Sequence, residues 1–148
     1  MIGIVHSGIT VRDLEKSISF YRDALGLEFV KREPERKSRG DKLGVPGAVI
    51  ELAIFAIPNS NASLELIQYK EPPYPNEYGA PVNALGQVHI AFHVADIKKK
   101  IEHMRKYGVH FVSQDYEEIM EGPLKGWKWI YFKDPDGANL ELIEMHTT

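Results

Sequence analysis

The 148 residues contain no cysteine, which excludes disulfides, thiolate nucleophiles and Cys-ligated zinc and fits a reducing compartment. Basic runs are missing as well. The net charge is −3, with Lys and Arg scattered among Asp and Glu, so there is no electrostatic footprint for nucleic acid or an anionic membrane. Long hydrophobic stretches are also lacking: Ala48 to Ile57 is too short to span a bilayer and is interrupted by Glu51. Met1 to Thr10 has neither the basic start nor the apolar core of an export signal. These absences predict a cytoplasmic protein without nucleic-acid or membrane partners. What is present is ordinary globular composition, 43% hydrophobic and 26% charged, at the usual length of one domain.

Gly3 to Val11 is rich in β-branched residues and reads as a strand carrying His6. A helix is predicted next, capped by Asp13, with Leu14, Ile18, Tyr21 and Leu25 at helical spacing before Gly26 stops it. Leu27 to Lys31 reads as a second strand and Glu33 to Lys42 as a charged loop. Ala48 to Ile57 and Ser63 to Tyr69 read as two further strands joined by the turn Pro58-Asn59-Ser60-Asn61. The predicted order is βαβββ.

That order then repeats. A shift of 83 residues carries His6 to His89, Asp13 to Asp96, and Leu14, Ile18 and Tyr21 to Ile97, Ile101 and Met104. The second half closes with strand Trp127 to Lys133, the turn Asp134-Pro135-Asp136-Gly137, and strand Ala138 to Met145. Its ending, Asn139-Leu140-Glu141-Leu142-Ile143-Glu144, echoes Ser63-Leu64-Glu65-Leu66-Ile67-Gln68. The fold class expected is α+β, as two tandem βαβββ modules over about 1–70 and 87–148. Between them, Lys70 to Gly86 carries Pro72, Pro73, Pro75 and Pro81 and reads as a surface connection. Either half alone would have a thin core, so residues 1–148 are expected to form a single domain in which the curved sheets pair.

Because side chains alternate along a strand, the repeat puts His6 and His89 at equivalent points on the first strands and Glu65 and Glu141 on the last. If the halves pack about a pseudo-twofold axis, two imidazoles and two carboxylates converge. That donor set suits one divalent ion: Zn, Ni, Co, Mn or Fe. Glu51 is the rival to Glu65 but has no counterpart in the repeat.

Together, the segment from His6 through Phe20-Tyr21, then Leu25-Gly26-Leu27, Val88 to Phe92, and Asp134-Pro135-Asp136-Gly137 leading to Glu144 resemble the vicinal oxygen chelate superfamily. That group includes glyoxalase I, methylmalonyl-CoA epimerase, extradiol dioxygenases, and fosfomycin and bleomycin resistance proteins. The resemblance implies a cupped, barrel-like mixed sheet with helices outside, a small-molecule substrate and a homodimer. It also implies chelation of two neighbouring substrate oxygens by the metal, with reaction through an enolate or enediolate. A carboxylate at Glu65, and the phrase Gly122 to Gly126, look like glyoxalase I and favour a lyase or isomerase in which Glu65 or Glu141 is the base. A dioxygenase, an epimerase and a non-catalytic antibiotic-binding protein are the alternatives. The Pro58 to Asn61 turn departs from compact bacterial glyoxalases, and no motif places glutathione-binding residues.

Trp127, Trp129 and Tyr131 alternate along one strand face, where they either line an apolar substrate pocket or pack in the core. His93, four residues beyond His89, falls on the same face as a candidate substrate contact or wall residue. The cluster Arg32, Arg36, Lys37, Arg39 and Lys42 reads chiefly as a solvated loop, with attraction of an anionic substrate as the other reading.

Overall fold

The computed structural model describes residues 1–37, 40–72 and 80–146, and of 36, 37, 40 and 41 the backbone alone. The chain divides into two compact units, Met1–Glu77 and Tyr78–Thr148. Each is built from strands and short helices, and the fold class is α+β.

In the first unit β1 (His6–Thr10) leads into α1 (Leu14–Ser19), whose start is set by the Asp13 side chain accepting from the Lys16 N–H at 3.1 Å. The helix does not run on in α form to Leu25. Phe20–Ala24 widens into a π turn, which keeps Tyr21, Ala24 and Leu25 buried, and Gly26 at φ 79° then turns the chain. After it come β2 (Glu28–Lys37), α2 (Gly40–Leu43), β3 (Val49–Ala56) and β4 (Ser63–Glu71). The sheet order is β1-β4-β3-β2, with β1 and β4 parallel and the other pairs antiparallel. One face is buried: Ala53, Phe55, Leu64 and Leu66 meet Leu14, Ile18 and Tyr21, with α1 lying on β3 and β4.

The expected charged loop from Glu33 is largely strand. β2 runs to Lys37 along the sheet edge, where alternating charges and Pro34 are tolerated, and its register shifts between Glu33 and Arg36. Arg32 is therefore no part of a free basic loop. Its guanidinium bonds the Glu51 carboxylate at 2.7 Å and that of Glu15. Lys42 is exposed in α2; Arg39 and the side chains of Arg36 and Lys37 lie outside the described residues.

The second unit follows the same plan. β5 (Ile90–His93) leads to α3 (Ile97–Arg105), where Asp96 accepts from the Lys99 N–H at 3.0 Å. Next come β6 (His110–Phe111), β7 (Glu117–Glu118), β8 (Lys128–Lys133) and β9 (Asn139–Glu144). The order is β5-β9-β8-β6, with β7 also on β8. Where the first unit has one long edge strand, this one has two short ones, parted by a turn in which Ser113 Oγ donates to the Asp115 carbonyl. Ile97, Ile101 and Met104 are buried, as are Ile130, Phe132, Leu140 and Leu142. The β8–β9 turn is closed by Asp134, whose carboxylate accepts the N–H groups of Asp136 and Ala138, with Gly137 at φ 86°.

The repeat reaches into the helix starts. Gln68 Oε1 accepts the Leu14 N–H at 3.1 Å, and Glu144, its counterpart in the echo, accepts the Ile97 N–H at 2.7 Å. Pro73 and Pro75 of the connecting segment lie outside the described residues.

Candidate functional site

Cross-strand partners share a face, so the register decides where each candidate points. In the first unit Glu65 lies opposite Gly8 on β1 and Ile54 on β3, on the face away from α1. His6 comes two residues before Gly8 and therefore shares that face. Its Nδ1 stands 3.8 Å from Glu65 Oε1, with His6 half exposed and Glu65 half-buried.

Glu51 alternates instead with Ala53 and Phe55 on the buried, helix side. Its carboxylate is occupied by Arg32 Nε at 2.7 Å and Lys70 Nζ at 3.2 Å. Arg32 above all, with Lys70, holds it below the ordinary carboxylate range despite burial. Glu51 is a structural ion-pair residue.

The second unit repeats the pairing. Glu141 lies opposite Ala91 on β5 and Tyr131 on β8. Ala91 is the counterpart of Gly8 under the shift that relates His6 to His89. His89 falls just before β5 because the ladder with β9 begins at Ile90. Its Nε2 is 3.3 Å from Glu141 Oε2 and 3.1 Å from the Tyr131 hydroxyl. The small residues Gly8 and Ala91 stand opposite the two carboxylates. This feature was readable in the sequence, as a glycine or alanine two residues after each histidine.

Glu141 is buried, 8% exposed. Loss of hydration pushes its carboxyl above the ordinary range, against the pull of the His89 imidazole. Burial, and then the charge of Glu141, raise the Tyr131 phenol in turn.

Glu141 forms part of the wall of a cavity of about 290 Å³ within the second unit. Trp127, Trp129 and Tyr131 supply its aromatic side, with the Trp129 and Tyr131 rings edge to face at 5.8 Å. Ile143, directly opposite Trp129, and the loop residues Ile119 and Leu124 complete it. Backbone bonds hold that loop: the Ile119 N–H donates to the Trp127 carbonyl at 2.8 Å and the Gly126 N–H to that of Ile119 at 2.7 Å. Ile119 and Leu124 escaped sequence reasoning because an irregular loop has no periodicity to reveal a facing side. His93 is exposed on β5 opposite Ile143 and does not itself line the cavity. Glu144, on the other face, binds Lys128 at 2.6 Å and the start of α3.

The donor chemistry suits a metal. An ion holding a nitrogen and an oxygen at about 2.1 Å, at roughly 90–110°, places the two ligand atoms about 3.0–3.4 Å apart. The His89–Glu141 pair stands at 3.3 Å and the more open His6–Glu65 pair at 3.8 Å. Within each unit's described residues the ligating groups come as a pair, and none forms a cluster of three or more. Each pair offers one imidazole and one carboxylate.

Two strand-helix units of like topology, each with a His–Glu pair on its open face, describe a protein built by duplication. Residues 3–142 match the Glyoxalase/Bleomycin resistance protein/Dioxygenase superfamily, and the chain belongs to that family. It is 32% identical to the 2-epi-5-epi-valiolone epimerase of an Actinomyces species, over 97% of this chain and 80% of that protein. It is 29% identical to the lactoylglutathione lyase of Haemophilus influenzae, over 98% of this chain and 94% of that one. In fold it resembles the crystal structure of a glyoxalase family protein from Bacillus cereus, with a TM-score of 0.84 at 24% identity, covering 99% and 96% of the two chains.

Proposed function

We propose that the protein is a cytoplasmic, metal-dependent proton-transfer enzyme, a glyoxalase-I-like lyase or isomerase acting beside a carbonyl group of a small molecule. The observation that carries this reading is the His89–Glu141 pair, whose carboxylate lies in the wall of an apolar, aromatic cavity. His6, Glu65, His89 and Glu141 would hold one divalent ion, which would supply Lewis acidity to the reaction. Glu141 is the base. It takes the proton from the carbon beside the carbonyl and returns it to the adjacent carbon. Its burial suits the task, since a carboxylate poorly served by water is a stronger base. Return of the proton to the opposite face of the same carbon, as an epimerase requires, needs a second carboxylate, the role open to Glu65. Trp127, Trp129 and Tyr131 receive the substrate, with His93 along the same strand face.

The test is elemental analysis of protein purified without chelators, followed by NMR of deuterium uptake from D₂O into α-hydroxy carbonyl compounds. About one divalent ion per chain is expected, lost in the His6→Ala, His89→Ala double variant. Exchange should depend on the ion. Absence of both metal uptake and exchange would overturn the reading.

A further inference from the structure

The cavity also constrains which substrate reaches Glu141. Six of the seven side chains that line it are aromatic or aliphatic, and the remaining one is Glu141 itself. No cation lines it. Of the two strand cations on β8, Lys128 alternates to the opposite face and is paired with Glu144 at 2.6 Å, while Lys133 is held by Asn139. A carboxylate or ammonium set against these side chains would lose hydration without gaining a partner among them, at a cost that grows with each charge so placed. At about 290 Å³ the cavity is also at the small end of ligand sites, which run from roughly 300 to 1,000 Å³.

We infer that the substrate carries a compact, uncharged ring or apolar group that packs on Trp129, and that it is not a charged peptide thiol adduct. This deepens the proton-transfer reading and rests on it. Register fixes how the ring relates to the reacting carbon. Trp129 is two residues from Tyr131, whose cross-strand partner is Glu141. Alternate residues on a strand are roughly 6.6 Å apart. The ring is therefore joined to the reacting carbon directly or through a very short link. Trp129 is the specificity-determining residue, held by its edge-to-face contact with Tyr131 and backed across the strand by Ile143.

The chain offers its own reporter, because its only two tryptophans, Trp127 and Trp129, both line this cavity. Tryptophan fluorescence of the metal-loaded protein should change saturably with 2-hydroxyacetophenone, a neutral α-hydroxy ketone bearing a ring. Binding should be at least about tenfold tighter than that of S-lactoylglutathione. By calorimetry, Trp129→Ala should weaken 2-hydroxyacetophenone about tenfold and Trp129→Phe by less than about threefold. Circular dichroism establishes that each variant is folded. Equal or tighter binding of S-lactoylglutathione overturns the inference, as does an unchanged affinity in a folded Trp129→Ala. Deuterium exchange on the same ligands keeps the two ideas apart: ring binding without exchange removes the reaction and leaves the pocket, whereas exchange without ring preference does the reverse.

Discussion

At the scale of single residues, the two glutamates of the repeat are chemically alike but differently placed. Glu65 sits half-buried beside a half-exposed histidine, whereas Glu141 is buried, 8% exposed, against aromatic rings. A proton carrier needs the second environment and a ligand tolerates the first. Glu141→Gln should therefore cut substrate deuterium exchange by about 10²–10⁴-fold. Its metal-free thermal midpoint should not fall below wild type, because the carboxylate's raised pKa means that its charge opposes folding at neutral pH. A metal-free variant that unfolds earlier than wild type would contradict this account of the site. Neither the burial nor the rings could be inferred from Glu141 and Glu65 as letters, since both follow a leucine and precede Leu-Ile.

At the scale of elements, the ends of β4 and β9 fasten the helices. Gln68 and Glu144 each satisfy the first N–H of the helix in their own unit. Glu144→Ala should lower unfolding free energy by about 1–2 kcal/mol in chemical denaturation, losing both the helix contact and Lys128. Glu144→Gln should cost less, because an amide already fills this role in the first unit. The carboxyls of Glu144 and Glu51 are held below their ordinary range, Glu144 by Lys128 and the Ile97 N–H, Glu51 by Arg32 and Lys70. Both therefore contribute stability that is fully present above the unfolded carboxyl pKa of about 4.3 and is lost as pH falls through their lower folded values. Glu141 has the opposite sign: its raised pKa favours the folded state when protonated, and that contribution fades as pH rises through the folded value. Urea denaturation of the metal-free protein between pH 3 and pH 7 should show a loss of stability on the acid side, smaller in Glu144→Gln. A profile unchanged by that substitution would remove Glu144 from the acid response.

At the scale of the whole molecule, among the described residues β1 and β5 are the end strands of their sheets, and exposed apolar residues lead into each. Ile2, Ile4 and Val5 precede β1, and Leu85 and Val88 precede β5. Edge strands with apolar flanks favour association, and on that ground a homodimer is expected. Sedimentation should give a dimer at micromolar concentration, and a monomer at every concentration would contradict it. Removal of the ion by a chelator should lower the thermal midpoint, and excess Zn²⁺ or Ni²⁺ should restore it, since a ligand at about 1,000 times its Kd stabilises by about 4 kcal/mol. No described helix is long and apolar enough to cross a membrane.

Much of this was legible in the residues themselves. The βαβββ order of the first unit, the caps Asp13 and Asp96, the buried helix positions and the Asp134–Gly137 turn each follow from local periodicity or turn chemistry, which act over a few residues. The duplication made His6, Glu65, His89 and Glu141 stand out in the same way. Other features depend on which strand lies beside which. The reach of β2 through its charges, the diversion of Glu51 to Arg32, the Tyr131–His89 bond and the loop residues Ile119 and Leu124 on the cavity wall are all of this kind. Cross-strand register is set by the packing of an entire sheet, so only the tertiary structure decided them, along with which glutamate is shielded from water.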